Sequence, residues 1–363
     1  MSPNESDFQM ETMQDLICLA KTWRGKTGHN PTVAAAVVVD NVVIAQGVHR
    51  GDGTSHAEID AILQAGDKCK GAELYVTLEP CTHHGKTPPC VEAIQRAGFS
   101  KVVYAIEDPN PDVRSKGGAK KILIDAGIEV QSGVCESEAY ELNKEFFFTM
   151  KTGKPYVVLK IAQSFNGKIP LGENGKAQMI SGEPFLKFVH ELRGRCDVIL
   201  TGIGTISADD PKFDVRYGLK EKGFKDPALV ILDPSGKCSE KARVFESDRD
   251  VFIFVDKDKC DVGAMSQKYP AAHCVALSAH EGAFDWDLVV SKLDELGFRH
   301  ILVEAGPKTM SWAKEHVQET ILGVSFVTLN ANAIDSPLNW RECWLGFSGC
   351  LVGEDIILRK IDA

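Results

Sequence analysis

Three short runs in the first third of the chain combine one imidazole with two thiols. They are His56-Ala57-Glu58, Pro80-Cys81 and Pro88-Pro89-Cys90. One histidine and two cysteines can hold a zinc ion at three corners of a tetrahedron and leave the fourth corner for water. Glu58 follows His56 by two residues, so its carboxylate can handle protons beside that water without binding the metal. These residue types predict a zinc-dependent hydrolytic deaminase.

The main alternative to a catalytic centre is a structural zinc site. Structural sites usually have four protein ligands, and His83 and His84 are available as the fourth ligand. A zinc-stabilised binding module without turnover is a further alternative. Glu58, which is adjacent to a ligand but not needed as one, favours the catalytic interpretation.

The composition limits the partners of the chain. It has 363 residues, of which 44% are hydrophobic and 25% charged, enough for two domains with separate cores. The formal net charge of −10 argues against a nucleic-acid partner, and so against a nucleic-acid base deaminase. No apolar run is long enough to span a membrane. The acidic, polar start and the odd number of cysteines, 11, predict a cytoplasmic protein with reduced thiols.

The hydrophobic pattern predicts an α/β sandwich around these residues. The turn residues Asp40-Asn41 predict a hairpin between two β-rich runs. The predicted helices are Phe8 to Trp23, His56 to Gln64, Cys90 to Ala97, Gly118 to Ala126 and Ser137 to Met150, and the strands are Ala34 to Val39, Val42 to Gln46, Leu74 to Leu78, Lys101 to Ile106 and Ile128 to Ser132. His56 and Cys90 then lie at helix starts, where the partial positive charge favours thiolate ligands. Thr54 or Ser55 is expected to cap the helix after His56.

The turn-forming segment Thr152-Gly153-Lys154-Pro155 predicts a domain boundary. We therefore divide the chain into domains of residues 1–150 and 151–363. The second domain is also predicted to be α/β, with a helix over Glu183 to Arg195. Its expected strands are Tyr156 to Ile161, Asp197 to Thr201, Ala228 to Leu232, Val251 to Val255 and His300 to Val303.

The interval between the two cysteines is unusual for a zinc deaminase. Many deaminases of nucleosides and nucleic-acid bases use Pro-Cys-x-x-Cys, whereas the interval from Cys81 to Cys90 is longer. The first 150 residues closely resemble the deaminase domain of the bifunctional riboflavin-biosynthesis deaminase/reductase family. The segments that carry the resemblance are Asn30-Pro31-Thr32-Val33, His49 to Glu58, Leu78-Glu79-Pro80-Cys81, the run from Cys81 to Cys90 and Asp108-Pro109-Asn110-Pro111.

This resemblance implies a cytidine-deaminase-like three-layer sandwich. It also implies removal of an amino group from a phosphorylated small molecule, 2,5-diamino-6-ribosylamino-4(3H)-pyrimidinone 5′-phosphate. It assigns zinc to His56, Cys81 and Cys90, and it assigns catalysis to Glu58, as the proton shuttle, and to Lys86. The residues implied to line the pyrimidinone pocket are Asn30, His49, His83, Asp108 and Asn110.

The second domain resembles the reductase domain of the same family, which is similar in fold to dihydrofolate reductase and uses NADPH to reduce the ribose to ribityl. The resembling segments are Lys160 to Gly167, Ile180-Ser181-Gly182, His190 to Arg193, Gly202 to Thr205, Asp209-Asp210-Pro211 with Arg216, Leu232-Asp233 and Val303 to Gly306. The implied substrate contacts are Lys160, Arg193, Asp209, Arg216 and Glu304. The implied NADPH contacts are Ala162, Thr205 and the loop from Ala305 to Thr309, which includes Gly306.

Several positions of the second domain depart from the family pattern. Asn166 stands where aspartate is usual, Ala177 and Met179 replace a serine and a tryptophan, and Ala305 replaces a glycine. An alternative is therefore a deaminase whose reductase domain is degenerate and whose product enters another pyrimidine-derived pathway. Symmetry statistics predict a homodimer or a larger homo-oligomer.

Overall fold

The computed structural model describes residues 3–82, 88–110, 117–169, 179–329, 333–338 and 347–361. The chain forms two compact units, Met1–Lys154 and Pro155–Ala363. Each unit has its own sheet and its own buried apolar cluster. None of the helices in the described ranges combines the length and the apolar composition needed to cross a bilayer.

The first unit is a mixed sheet of five strands packed with helices. Its elements are α1 (Pro3–Lys21), β1 (Ala34–Val39), β2 (Val42–Val48), α2 (Ala57–Ala65), β3 (Glu73–Val76), α3 (Cys90–Ala97), β4 (Lys101–Tyr104), α4 (Gly118–Asp125), β5 (Glu129–Ser132) and α5 (Glu136–Thr152). The strand order is β2-β1-β3-β4-β5; β1 is antiparallel to both neighbours, and β3, β4 and β5 are parallel. The predicted α/β fold with partly parallel strands is confirmed.

Close packing of β2 against α2 sets the position of the helix that begins beside His56. A Cβ atom at Gly47 on β2 would lie 2.2 Å from the carbonyl oxygen of Ala57 and 2.4 Å from the amide nitrogen of Ala61. Any side chain at Gly47 would therefore push α2 away from the sheet. The neighbouring residues 34–36 of β1 are all buried alanines, which also keep the layers close together.

Two local predictions for this unit had different outcomes. The hairpin is confirmed, because Asp40 and Asn41 have φ values of 50° and 58°, which a type I′ turn requires at both central positions. The predicted cap of α2 is wrong. His56 itself is the N-cap residue, with no side-chain capping hydrogen bond, and the Thr54 hydroxyl donates to the carbonyl of Gly51 at 2.7 Å instead.

The second unit is built on a sheet of nine strands. Its elements are β6 (Tyr156–Ser164), α6 (Glu183–Arg195), β7 (Val198–Gly202), α7 (Ile203–Asp209), β8 (Ala228–Leu232), β9 (Val251–Asp256), α8 (Val262–Lys268), β10 (His273–Leu277), β11 (Ala279–His280), β12 (Ala283–Phe284), α9 (Trp286–Glu295), β13 (His300–Val303), α10 (Pro307–Ala313), β14 (Glu319–Ser325), β15 (Ser348–Val352) and β16 (Asp355–Ile361). Strands β11 and β12 form a separate small hairpin.

The large sheet has the order β10-β9-β8-β7-β13-β6-β14-β16-β15. Each strand from β10 to β14 in this order is parallel to the next one. Strand β16 is antiparallel to both of its neighbours, β14 and β15. The carboxyl ends of β6, β7, β8 and β13 therefore meet at one edge, where open α/β sheets bind ligands. The sequence predicted five of the nine strands and missed β10, β14 and β15, whereas residues 353–356, which resemble the final strand of the family, overlap β16.

Candidate active sites

The three predicted metal ligands lie together in the first unit. His56 is the N-cap residue of α2, Cys90 is the first residue of α3, and Cys81 lies in the segment after β3. Their donor atoms are all within 4.8 Å of one another. His56 Nδ1 lies 3.2 Å from Cys90 Sγ and 3.6 Å from Cys81 Sγ. We call these three residues the metal cluster.

The chemistry of the metal cluster fits zinc. A hydrogen bond with the Cys90 thiol lowers the pKa of Cys81 to about 4, and the backbone N–H of Cys90 also donates to Cys81 Sγ at 3.3 Å. A thiolate is the form that binds zinc. Among the described residues, the cluster supplies three ligands, the number found in catalytic zinc sites. His83 and His84, the candidates for a fourth ligand, lie outside the described residues.

Glu58 lies in the first turn of α2 and is buried, with 4% of its surface exposed. Burial and the charge of Cys81 raise the pKa of Glu58 to about 7, and His56 opposes that shift. A carboxyl group with a pKa near neutrality can both accept and return a proton. A cavity of about 820 Å³ adjoins His56 and is lined by apolar residues of α2 and α3 together with Asp67, Lys70 and Arg96. Glu58, Cys81 and Cys90 are not among its described lining residues.

The residues predicted to bind the pyrimidinone have polar partners in the first unit. Asn30 donates from Nδ2 to Asp52 at 2.8 Å. His49 is buried; its Nδ1 lies 3.1 Å from the carbonyl of Ser55, and its ring packs edge-on against His56 at 5.5 Å between centroids. Asp108 accepts from the backbone N–H of Asn110 at 2.9 Å. His83 and Lys86, which were also predicted for this site, lie outside the described residues.

The sequence interpretation missed Asn143, which holds the segment that carries Asn30. Its side-chain amide accepts from the N–H of Thr32 at 2.7 Å and donates to the C=O of Thr32 at 2.9 Å, and all these groups are buried. Asn143 has non-helical backbone angles, φ −129° and ψ 23°, inside α5. An asparagine in the middle of a predicted helix was the available signal, because asparagine is a poor helix former.

The second unit contains a cavity of about 650 Å³ at the carboxyl edge of its sheet, within the range of ligand pockets. Eight of the predicted site residues line it: Lys160, Ala162, Arg193, Thr205, Asp209, Glu304, Ala305 and Gly306. Arg216 is not among the lining residues; its side chain is 62% exposed and pairs with Asp214 at 3.1 Å. The sequence did not single out the aromatic walls Phe213, Phe284 and Trp312.

Glu304 connects two cations at the floor of this cavity. Its carboxylate accepts from Arg193 at 2.8 and 2.7 Å and from Lys160 at 3.4 Å. Burial alone would raise the pKa of Glu304, but the charges of Arg193 and Lys160 outweigh burial and lower it to about 2. Glu304 is therefore a fixed negative charge at neutral pH.

Arg216 is held through its backbone rather than by the cavity wall. Its N–H donates to Nδ1 of the buried His190 at 3.1 Å. Burial, together with the nearby charges of Arg193 and Arg216, lowers the pKa of His190 to about 4, so the ring is neutral at pH 7 and its Nδ1 can accept.

The donors and the space in this cavity fit NADPH. The hydroxyl of Thr205 is buried without a hydrogen-bond partner in the described part of the chain. A Cβ atom at Gly202 would lie 2.6 Å from the Thr309 hydroxyl, so a side chain there would displace that hydroxyl. Three departures from the family pattern lie in the described residues. The side-chain amide of Asn166 donates to the carbonyl of Leu329 at 2.8 Å and accepts from its N–H at 3.0 Å. Ala305 lines the cavity, and Met179 is 73% exposed. Ala177 lies outside the described residues.

Two family models match separate parts of the chain. Residues 8–106 match the cytidine and deoxycytidylate deaminase zinc-binding region, and residues 155–322 match the RibD C-terminal domain. The riboflavin biosynthesis protein RibD of Aquifex aeolicus is 38% identical over 341 residues, which cover 91% of this chain and 93% of that protein. The RibD protein of Escherichia coli is 33% identical over 80% of this chain and 79% of its own length.

Solved structures show the same likeness over the whole chain. A protein of Thermotoga maritima, described as a diaminohydroxyphosphoribosylaminopyrimidine deaminase/5-amino-6-(5-phosphoribosylamino)uracil reductase, is 32% identical with a TM-score of 0.85 and covers 99% of this chain and 100% of its own. RibD of Acinetobacter baumannii gives a TM-score of 0.83 at 32% identity, with coverage of 99% and 100%. The chain belongs to the RibD family of riboflavin-biosynthesis proteins, which join a zinc-binding deaminase region to a reductase domain.

Proposed function

We propose that this chain catalyses two successive steps on one phosphorylated pyrimidine. The first removes an amino group hydrolytically from 2,5-diamino-6-ribosylamino-4(3H)-pyrimidinone 5′-phosphate, and the second reduces the ribose to ribityl with NADPH. The observation that carries the proposal is the buried Glu58 beside three ligand side chains, because a purely structural zinc site does not need a titratable carboxylate there. We assign the deaminase to residues 1–150 and the reductase to residues 151–363.

In the deamination, His56, Cys81 and Cys90 hold zinc, which supplies the Lewis acidity that makes water a nucleophile near neutral pH. Glu58 would take one proton from the attacking water and give it to the ring nitrogen, and it would then carry the second proton, from the added hydroxyl, to the amino group, so that ammonia departs and a carbonyl remains. Asn30, His49, Asp108 and Asn110 orient the pyrimidinone, and His83 and Lys86 are assigned to the same pocket, with Lys86 assisting catalysis.

In the reduction, NADPH supplies the hydride, and the protein supplies position and charge. Ala162, Thr205, Ala305 and Gly306 contact the cofactor. Lys160, Arg193 and Glu304 form a fixed charged floor for the ribose, and Asp209, which lines the cavity, contacts the sugar. Arg216 lies outside the cavity lining, and its contact with the phosphate is carried over from the family resemblance alone.

The same chemistry suggests the setting in which the enzyme works. NADPH and phosphorylated intermediates are cytoplasmic metabolites, and the cysteines in the described residues are all free. We therefore place the protein in the cytoplasm, and we propose that it assembles as a homodimer or a larger homo-oligomer. Light scattering on the purified protein tests the assembly.

Substitution of Glu58→Gln tests the deaminase assignment. The amide keeps the size of the side chain but cannot carry the proton, so ammonia release should fall about 10²- to 10⁴-fold. Zinc content and NADPH oxidation with the deaminated intermediate should stay at the wild-type level. Glu11→Gln, at an exposed position of α1, is the control. Normal ammonia release by Glu58→Gln would contradict the role of Glu58.

A deaminase-only protein is the second candidate, favoured by the exposed position of Met179 where the family has a tryptophan. Incubation of the wild-type protein with the deaminated intermediate and NADPH separates the two. Loss of absorbance at the nicotinamide band supports the bifunctional enzyme, and no loss supports the deaminase-only protein.

A further inference from the structure

Glu79 is a buried carboxylate, 6% exposed, that the mechanism above does not use. One of its oxygens, Oε2, accepts from the backbone N–H of Asp108 at 3.0 Å. The other, Oε1, accepts from the backbone N–H of Ala119 at 2.7 Å. The partners that Glu79 has in the described residues are thus backbone groups. One belongs to Asp108, after β4, and the other to Ala119, the second residue of α4.

Glu79 is also close in the chain to a member of the metal cluster. Cys81 follows it by two residues, and the backbone N–H of Glu79 donates to the carbonyl of Ile106 at 2.9 Å. The side chain of Asp108 itself accepts a hydrogen bond from the backbone N–H of Asn110, which closes a turn. A single side chain therefore ties the segment that carries a metal ligand to the turn that carries two proposed substrate residues.

The geometry around Gly118 shows how closely the carboxylate is packed. Gly118 has φ +70°, and a Cβ atom there would lie 2.5 Å from Glu79 Oε1. Any side chain at Gly118 would displace the carboxylate from its place against the N–H of Ala119. This gives a second way to perturb the same contact without changing Glu79.

We propose that Glu79 is a positioning residue that fixes the Asp108–Asn110 turn relative to the metal cluster and thereby sets the affinity of the deaminase for its pyrimidine substrate. The inference rests on the proposed deaminase function, and it adds to it a residue that does not touch the substrate. Hydrogen bonds from N–H groups to a carboxylate are stronger than those between neutral groups, which suits a clamp that must hold two backbone segments.

Glu79→Gln is the direct test in the full-length protein. A glutamine has one acceptor oxygen and one NH₂ donor, so it can satisfy only one of the two backbone N–H groups. Displacement of the turn by a fraction of an ångström should raise KM for the deaminase substrate about tenfold or more. kcat should stay within about threefold, because the lost contact is one of substrate binding rather than of the transition state alone.

Gly118→Ala and Gly127→Ala form a matched pair around α4. Both glycines have positive φ, +70° and +80°, so both substitutions strain the backbone. Only Gly118→Ala meets the carboxylate, because a Cβ atom at Gly127 has nothing within 4 Å. Gly118→Ala should raise the deaminase KM in the same direction as Glu79→Gln, whereas Gly127→Ala should leave it unchanged.

Zinc content and the reductase reaction of the same samples complete the experiment, and both should match the wild type. A wild-type KM in Glu79→Gln, or an equal rise in the Gly118→Ala and Gly127→Ala proteins, overturns the inference. Loss of zinc or a collapse of kcat in Glu79→Gln also overturns it, because Glu79 would then support the metal or the fold. Absence of ammonia release from the wild type is a different result, which would refute the proposed function itself.

Discussion

Glu58 in the first unit and Glu304 in the second are both buried carboxylates in a proposed active site, yet their surroundings act on them in opposite directions. Burial and then a neighbouring sulfur charge raise the pKa of Glu58 to about 7. Glu304 has Arg193 and Lys160, and its pKa falls to about 2. The difference separates a carboxyl group suited to moving protons from one suited to holding a constant charge.

The two sites also differ in how they are assembled. The metal cluster needs three side chains with donor atoms within 4.8 Å, two of them at helix starts. The cavity of the second unit is lined by residues from the ends of several parallel strands and from the loops that follow them. The catalytic groups of the first unit are thus concentrated in a few residues, whereas the binding residues of the second unit are distributed along one edge of its sheet.

The largest expected effect is loss of the metal cluster through Cys90→Ser. Removal of one ligand should release zinc, and a bound metal contributes several kcal/mol to such a reaction, so deamination should fall about 10³-fold or more. The reductase should keep its activity, because its charges do not depend on the metal. Metal analysis, ammonia release and NADPH oxidation measure the three outcomes.

Cys18→Ser, at an exposed cysteine of the same unit, is the control for thiol chemistry unrelated to the metal. Full deaminase activity in Cys90→Ser would show that the metal cluster is not the catalytic centre of the first unit, and the contrast between the two sites would then fail.

Glu304→Gln should give the next largest effect, in the second unit alone. It leaves the buried Arg193 without its ion pair, which costs about 3–5 kcal/mol of unfolding free energy at pH 7. The ionised Glu304 contributes stability that is fully present above about pH 4.5 and is lost as the pH falls towards 2, because its folded pKa lies below its unfolded pKa. Chemical denaturation should therefore show a smaller difference in unfolding free energy between pH 7 and pH 3 in the variant than in the wild type.

An unchanged difference between pH 7 and pH 3 in Glu304→Gln would show that Glu304 is not the fixed charge described above. Reductase activity should fall while ammonia release stays normal, so the same protein reports on both sites.

The smallest expected effect comes from His190→Asn. The asparagine oxygen can replace Nδ1 as the acceptor for the Arg216 N–H, so stability at pH 7 should change by about 1 kcal/mol or less. The pKa of His190 is lowered to about 4, so the neutral ring contributes stability that is present above about pH 6.5 and lost as the pH falls to 4. Denaturation at pH 7 and pH 5 should show a smaller loss of unfolding free energy in the variant than in the wild type. An equal loss would contradict the assignment of this pH dependence to His190.

The sequence was most informative where chemistry requires particular residue types at short spacing. The helix Cys90–Ala97 and the hairpin at Asp40-Asn41 were predicted correctly, because the turn and the amphipathic pattern are local. The meeting of the three metal ligands could be inferred because a catalytic zinc centre of this kind needs one histidine and two cysteines close together. The α2 cap was predicted wrongly, because the His56 ring faces the two sulfurs and His56 itself takes the N-cap position.

Features that depend on distant contacts were not visible in the sequence. Strand β14 is buried along its whole length, so its apolar run lacks the alternation typical of a strand with one exposed face. The aromatic wall of the cofactor cavity combines Phe213, Phe284 and Trp312 from three separate parts of the chain. No local spacing indicates such a wall, because it exists only after the parallel strands have aligned.

The two hydrogen bonds between Asn143 and Thr32 have a practical consequence for producing the first unit as a separate fragment. The two residues are 111 positions apart, and the matched zinc-binding region ends at residue 106. A fragment cut at that point would leave both backbone groups of Thr32 without their partner and would expose the apolar cluster to which Ala139, Leu142 and Phe147 of α5 belong. An excised deaminase would therefore have to extend through Thr152 to be self-sufficient, and shorter pieces should be expected to aggregate rather than to turn over substrate.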